Sequence, residues 1–310
     1  MINNIIRAVI NNDDNYKPEL GEVVHVFDSE NIKLKIGDGV SLIKELPDIL
    51  IDSKKFGTGC MMSPYDIRDY QFSDIVVGLS RERFPKEYIP NYGIKPFDQG
   101  TTSMCCACAV AMSRYIFEIE DSGNTKLFSP GYIYANRTNS VVCEGIYEGE
   151  GMYLKDALKQ LCHSGDCFYD YFDEFGLYDD LKKSYISKSA TLDQNAYPFR
   201  TSSYYAVKTE KEIMKAILST GSVITSFLVT SGWYYVEKDG IIPTFGSIEG
   251  AHAVLIIGWK IIDNKKYWII LNSWGDQWGD NGLGYIETTS LILESYCIID
   301  DVKEIQLKNK

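Results

Sequence analysis

The chain has 310 residues, 45% of them hydrophobic, and a net charge of −12 with a sequence pI near 4.8. That length allows one large domain or two smaller ones with a buried core. The acidic, scattered charge argues against nucleic acid as a partner, because phosphate binding needs a basic surface, and no apolar run approaches the ~20 residues that span a bilayer. The opening segment, residues 1–12, has an arginine and asparagines where the apolar run of a signal peptide would lie, so none is read there.

Residues 1–52 read as a small β-meander. Val23–Phe27 is a strand, Ile32–Ile36 alternates strictly and is a clearer one, and Asp28-Ser29-Glu30-Asn31 between them is a four-residue hairpin turn. Taken alone this is a plain N-terminal hairpin or a pro-segment. Its Gly21-Glu22 start, Asp28 turn, Ile36-Gly37-Asp38-Gly39 loop and Leu46-Pro47 end resemble a module of bacteriophage tail and tail-fibre proteins. That resemblance implies a phage or prophage origin, and other phage particle proteins as partners through residues 1–52.

The polar joint Asp52–Gly59 is read as a domain boundary, with residues 53–310 as a second domain. A stretch punctuated by Pro85, Pro90 and Pro96 leads extended into Asp98-Gln99-Gly100-Thr101-Thr102, a turn. Ser103 is the expected N-cap of a helix whose apolar positions are Cys108, Met112, Tyr115, Ile116 and Ile119. Cys105 then lies in the first helical turn, where unpaired N–H groups and the helix dipole favour a thiolate. Read alone, Cys105, Cys106 and Cys108 are small buried hydrophobes. With Cys162 and Cys167 they lack the CxxC knuckles that tetrahedral metal sites favour. Gly123 ends the helix.

Further along, Ser129 caps a helix with Pro130 at its first position. Residues 144–151 form an acidic, glycine-rich loop without phosphate-binding spacing. Leu154, Ala157, Leu158 and Leu161 mark an amphipathic helix stopped by Gly165. From about residue 195 the chain turns to strands: Tyr204–Val207, then a Thr209-x-x-Glu212 capping box opening a helix to Leu218, then Val223–Val229, Ala253–Trp259, Tyr267–Leu271 and Leu283–Glu287. This is a mostly antiparallel sheet or barrel.

The chain has three histidines: His25 in the meander, His163 at a helix end, and His252 at the mouth of an apolar strand. Asn272 follows the next apolar strand. If the two strands pair as a hairpin across Ile262–Lys266, residues 252 and 272 become neighbours. Such an arrangement serves a Cys-His-Asn site, in which the histidine shares the thiol proton and the asparagine carbonyl fixes the ring. Trp274 either lies over that pair or packs in the core.

Three motifs in order, Asp98-Gln99-Gly100…Cys105, Gly250-Ala251-His252-Ala253-Val254 and Asn272-Ser273-Trp274-Gly275…Trp278-Gly279-Asp280-Asn281-Gly282, resemble those of papain-like cysteine peptidases, especially their bacterial and phage-type branch. His252 follows Cys105 by 147 residues and Asn272 by 167, against roughly 130–150 in the family. The later asparagine is ascribed to a longer hairpin loop. Met104, Cys106 and Thr102 depart from the family pattern, which makes the nucleophile a question of register: the six-residue step from Gln99 selects Cys105, with Cys106 facing another side of the helix and Cys108 the core.

The resemblance implies an α+β, two-lobed fold, with a helical lobe carrying Cys105 and an antiparallel β-barrel-like lobe carrying His252 and Asn272. It implies a cysteine endopeptidase acting on a peptide or protein, with Gln99 and the Cys105 N–H as oxyanion hole, Trp274 supporting, and Phe227 and Ala251 lining the substrate pocket. No metal or organic cofactor is implied. The other readings are a structural, virion-associated domain of weak or no activity, and an amidase or acyl transferase using the same site. Without the family's disulfide near the nucleophile the chain suits a reducing compartment, the host cytoplasm and/or a virion.

Overall fold

The structure, a computed structural model, describes residues 56–64, 66–76, 83–138 and 150–301 in full, and the backbone of 7–9, 23–28 and 31–36. Near the N-terminus β1 (Arg7–Val9) pairs parallel to β2 (Val23–Asp28), which pairs antiparallel with β3 (Asn31–Ile36). Asp28 stands opposite Asn31, at the two ends of the expected four-residue turn, whose central residues 29 and 30 lie outside the described residues. The Gly21-Glu22, Gly37–Gly39 and Leu46-Pro47 features lie outside the described residues.

The larger unit is built on a six-stranded, wholly antiparallel sheet. Its order is β10 (Leu283–Ile286), β9 (Lys265–Leu271), β8 (Ile248–Ile262), β7 (Val223–Thr230), β11 (Ile292–Ile299) and β6 (Ser203–Ala206). It is an open sheet, with β10 and β6 at its edges, and not a closed barrel. Strand alternation divides the interior in two. Ala253, Leu255 and Ile257 of β8 join one apolar core with the helices, while Val254 and Ile256 join a second with Trp233, Trp259, Trp268 and Trp274.

Against the first face lies α1 (Cys105–Ser122), which packs on β8 and on α2 (Pro130–Ala135) and α3 (Leu154–Ser164). Every residue from Cys105 to Ile116 is buried, so the first three turns have no solvent face and the helix runs through the middle of the molecule. Gly123 closes it in the left-handed conformation, φ 70°. Ser129 and Pro130 start α2 as expected, the Ser129 hydroxyl accepting from the Tyr132 N–H at 3.0 Å. Gly165 ends α3. A long helix, α4 (Tyr178–Ala196), buries only Leu181, Leu192 and Ala196, too sparse an apolar stripe to register in the sequence.

α5 (Glu210–Thr220) carries the expected capping box, with one difference. The Thr209 hydroxyl accepts from the Glu212 N–H at 3.2 Å, but the Glu212 carboxylate reaches back to the Lys208 N–H, at 2.7 Å, and not to that of the cap itself. Thr209→Ala is expected to lower unfolding free energy by about 1 kcal/mol in urea titrations. An unchanged midpoint would mean that the packing of Ile213 and Ile217 alone holds the helix start.

Candidate active site

The hairpin of β8 and β9 sets the site. Ile262 pairs with Lys265 across Asp263 and Asn264, whose φ values are 49° and 64°. Two consecutive left-handed residues make the turn whose twist matches that of the strands. Leu255 stands opposite Leu271 at the far end, which brings residues 252 and 272 together. The link is thus tight, and the late asparagine follows from long strands and not from a long loop.

His252 is wholly buried, and its Nε2 lies 2.7 Å from the Oδ1 of Asn272. Asn272 Oδ1 is itself fixed by the Ser273 N–H at 2.7 Å. An amide oxygen only accepts, so Nε2 carries the hydrogen and Nδ1 is left for the thiol. Trp274 stacks on the imidazole at 4.5 Å and 27°, and Trp233 meets it edge-on at 6.5 Å. The ring is held between the asparagine and two indoles that keep water away.

Cys105 begins α1 after Met104, which is the N-cap; no side chain caps the helix. Ser103, the expected cap, is buried against Gly59. Burial alone would push the Cys105 thiol up. The neighbouring Cys106 thiol, the His252 ring and the Ala253 amide outweigh it and hold the thiol well below the ordinary range. Cys106 and Cys108 move the other way, burial first, and stay protonated. Of these three thiols Cys105 alone is shifted toward the thiolate.

A short bridge docks the Gln99 loop onto the asparagine segment. The Gln99 N–H donates to the Ser273 carbonyl and the Gly275 N–H to the Phe97 carbonyl, both at 2.9 Å. The Gln99 carboxamide is oriented by the Ser273 hydroxyl, which donates to Oε1 at 2.6 Å. Its Nε2 donates to the Thr102 carbonyl at 2.7 Å and to the Gly57 carbonyl at 3.0 Å. Trp274 Nε1 also donates to that Gly57 carbonyl, at 3.2 Å.

Gly57 belongs to a strap, residues 56–63, that crosses the site. Phe56 stacks on Trp274 at 4.8 Å and 13°, the Met152 N–H donates to the Gly59 carbonyl at 3.0 Å, and β4 (Cys60–Met61) pairs parallel with β5 (Met152–Tyr153). Ser63 donates through its N–H and hydroxyl to Glu294. Under the strap Cys105 is 0% exposed. The joint read as a domain boundary is thus, from Phe56 on, part of the site's cover, and its glycines are there for close approach. A Cβ on Gly57 would stand 1.8 Å from the Thr102 carbonyl oxygen, and one on Gly59 would stand 2.5 Å from the Ser103 Cβ.

Of the two expected pocket residues, Ala251 stands on β8 beside His252, half-buried against the first core. Phe227 is wholly buried in the second core against Trp233, with ring centroids 5.8 Å apart, and does not face the strap. A one-residue step along a strand reverses the face, and it is Ser226 that meets the strap, through the Cys60 thiol at 3.1 Å. His163 is exposed on α3, away from this constellation, and His25 lies on β2.

Comparison with known proteins agrees with this geometry. The family described as Papain family cysteine protease matches residues 98–303. Cathepsin B-like CP3 of Giardia intestinalis is 44% identical over 71 residues, covering 23% of this chain and 24% of that protein. An uncharacterized peptidase C1-like protein, L477, of Acanthamoeba polyphaga mimivirus is 27% identical over 203 residues, 61% of this chain and 63% of that protein. The chain thus spans less than two thirds of the length of the curated relatives it matches. Among solved structures, xylellain, a cysteine protease from Xylella fastidiosa, superposes with a TM-score of 0.64 at 22% identity over 82% of this chain and 99% of that chain. The proCathepsin B S9 of Trypanosoma congolense does so with 0.61 at 14% identity, over 79% and 87%. At these identities the likeness is one of fold. With Cys105 at the head of a buried helix, a histidine–asparagine pair across from it and a matching profile over both, the chain belongs to the papain family of cysteine proteases.

Proposed function

We propose that the protein is a thiol endopeptidase in which Cys105, His252 and Asn272 perform the chemistry. The observation that carries this is the His252–Asn272 contact at 2.7 Å beside a thiol held below its ordinary range. Cys105 attacks a peptide carbonyl, and the developing oxyanion is met by Gln99 Nε2 and by the N–H of Cys105, free of the ladder as a first helical residue. His252 protonates the leaving amine and then activates water for release of the acyl group. The Gly57 carbonyl, now on Gln99 Nε2 and Trp274 Nε1, marks where a substrate carbonyl docks, and Ala251 and Ser226 flank that space. Incubation with a peptide library followed by sequencing of new N-termini tests the reading; cleavage of ester or non-peptide amide bonds alone would make the protein an acyl transferase or amidase instead.

The pH dependence is a sharper test. A thiolate persists until pH falls through its pKa, so a lowered pKa keeps Cys105 reactive into mild acid. Cys162, half-buried, is pushed up to about 11 and at pH 7 is about 10⁻⁴ thiolate. Iodoacetamide labelling mapped by mass spectrometry should show Cys105 modified at a rate nearly flat from pH 8 down to about 6, while Cys162 gains about tenfold per pH unit. A Cys105 rate that rises in parallel with that of Cys162 would remove the thiolate from the mechanism.

Residues 1–52 are read as a separate module, supported by the β2–β3 hairpin and the tail-protein pattern. In that reading the protein is phage- or prophage-encoded, works in the host cytoplasm or virion, and docks on particle proteins through this module. Its presence in purified particles of an induced lysogen tests the point.

A further inference from the structure

Three thiols meet under the strap. Cys60 on β4 is the register partner of Met152 on β5, and the Cys106 thiol donates to the Met152 carbonyl at 3.4 Å. Cys60 donates to the Ser226 hydroxyl at 3.1 Å, on the opposite wall. Met152 therefore ties the two together, by its register with Cys60 on one side and its carbonyl on the Cys106 thiol on the other, and Cys105 is the chain neighbour of Cys106. Cys60 is 6% exposed and the other two 0%, and none is in a disulfide. The mechanism above uses Cys105 and leaves Cys60 and Cys106 without a task.

The strap is otherwise fastened by non-covalent contacts that can open, among them the Phe56 ring on Trp274, the Gly57 N–H on the Gly100 carbonyl, two hydrogen bonds to the Gly57 carbonyl, one to the Gly59 carbonyl, those of Ser63 to Glu294, and the short β4–β5 pairing. A covalent bond from Cys60 to α1 would change that, because α1 is buried through its first three turns and cannot follow the strap outward.

We propose that Cys60 and Cys106 form a redox latch: as a disulfide they hold the strap across Cys105, and as two thiols they let it leave. The proposal rests on the reading of Cys105 as the nucleophile beneath the strap. The oxidant is a small disulfide such as oxidised glutathione. One thiol loses its proton and attacks, forming a mixed disulfide and releasing one glutathione thiol. The second then displaces the other glutathione. Two protein thiols become one disulfide and one glutathione disulfide becomes two thiols, so electrons and protons balance. The neighbouring Cys106 thiol favours the Cys60 thiolate, but burial and the nearby Cys105 and Glu294 charges push that thiol up. With Cys106 also raised, chiefly by burial, exchange is slow unless the strap loosens, which favours a switch set by sustained oxidising conditions.

The test uses the full chain, equilibrated in oxidised or reduced glutathione, with free thiols then trapped and the digest read by mass spectrometry. The expected product is a peptide pair linked through Cys60 and Cys106 in the oxidised sample, absent after dithiothreitol. Labelling of Cys105 by a thiol-directed epoxide should fall at least tenfold on oxidation and return on reduction. In Cys60→Ser the labelling should be unaffected by oxidised glutathione. An unlinked pair, a glutathione adduct retained on either thiol, or equal inhibition of Cys60→Ser would overturn the latch. A linked pair in a protein whose Cys105 never labels and which cuts no peptide would instead sink the peptidase reading and leave the latch standing.

Discussion

Cys105→Ala is expected to reduce kcat/KM for a peptide substrate by about 10⁴-fold or more, and to abolish epoxide labelling, while Cys106→Ala stays within about tenfold of the parent. The asymmetry follows from where the two sulfurs sit. The Cys105 sulfur faces His252 and the Ala253 amide, and these hold it below the ordinary thiol range against a burial effect that acts the other way. Cys106, one residue on, is turned by the helix toward the Met152 carbonyl at 3.4 Å and kept protonated, chiefly by burial. A protonated thiol beside a carbonyl acceptor has neither the charge nor the direction for attack. Alanine at the head of α1 preserves helix propensity, so the loss should appear without a change in far-ultraviolet circular dichroism. Cleavage by the Cys105→Ala chain at parental rate, with label found on Cys106, would transfer the nucleophile's role to that residue and require α1 to start one residue later.

The parts of this site that were legible in the sequence are those written in local chemistry. Cys105 at a loop-to-helix step, His252 and Asn272 at the mouths of two apolar strands, and Thr209 with Glu212 each declare themselves within a few positions. The pairing of His252 with Asn272 needed only the inference that two apolar strands form a hairpin, and Asp263-Asn264 provide the turn for it. What escaped was set by contacts across the chain. Ser103 has the residue type of an N-cap, but its packing against Gly59 commits it elsewhere and Met104 takes the position. The family resemblance puts Phe227 at the pocket, and an offset of one residue along β7 exchanges the core face for that of Ser226. α4 escaped because three buried residues among nineteen make no stripe. Ile292–Ile299 did not declare itself because its pairing with β7 is interrupted between Ile292 and Glu294, which breaks the period-two pattern. The strap was misread most instructively. Glycines at 57 and 59 in a polar stretch signal a flexible joint, whereas here each is a place where two backbones touch.

That close approach makes the strap separable from the catalytic groups by a single substitution. Gly57→Val is expected to increase the rate of epoxide labelling at Cys105, and of peptide cleavage, by roughly a hundredfold under reducing conditions, which corresponds to about 3 kcal/mol of lost strap binding. A Cβ there would lie 1.8 Å from the Thr102 carbonyl oxygen and 2.7 Å from its carbon. Thr102 cannot yield, because its N–H and hydroxyl are both bonded to the Gln99 carbonyl, at 3.2 and 2.8 Å, in the turn that feeds α1. The strap is held here by the Gly57 N–H on the Gly100 carbonyl at 3.0 Å, by the two bonds to the Gly57 carbonyl and by the Phe56 ring, all of which it can shed without disturbing the start of α1, so it is the side that moves. Its departure takes the Gly57 carbonyl off Gln99 Nε2 and Trp274 Nε1, leaving both donors pointing into an emptied space, while Gln99 stays oriented by Ser273. His252 and Asn272 stay held by each other and by the Ser273 N–H, so kcat for the open form should be unchanged, and the gain should come from the larger open fraction. The contrary role for the strap, as a structural layer without which the site collapses, predicts the opposite outcome: a lowered denaturation midpoint with labelling equal to or slower than the parent. Comparing Gly57→Val with Gly93→Val separates the two, since a side chain at Gly93 meets no atom within 4 Å and destabilises only through its backbone, at φ 61°, whereas one at Gly57 acts through the clash alone. If both variants lose stability alike and neither labels faster, the strap does not regulate access to Cys105.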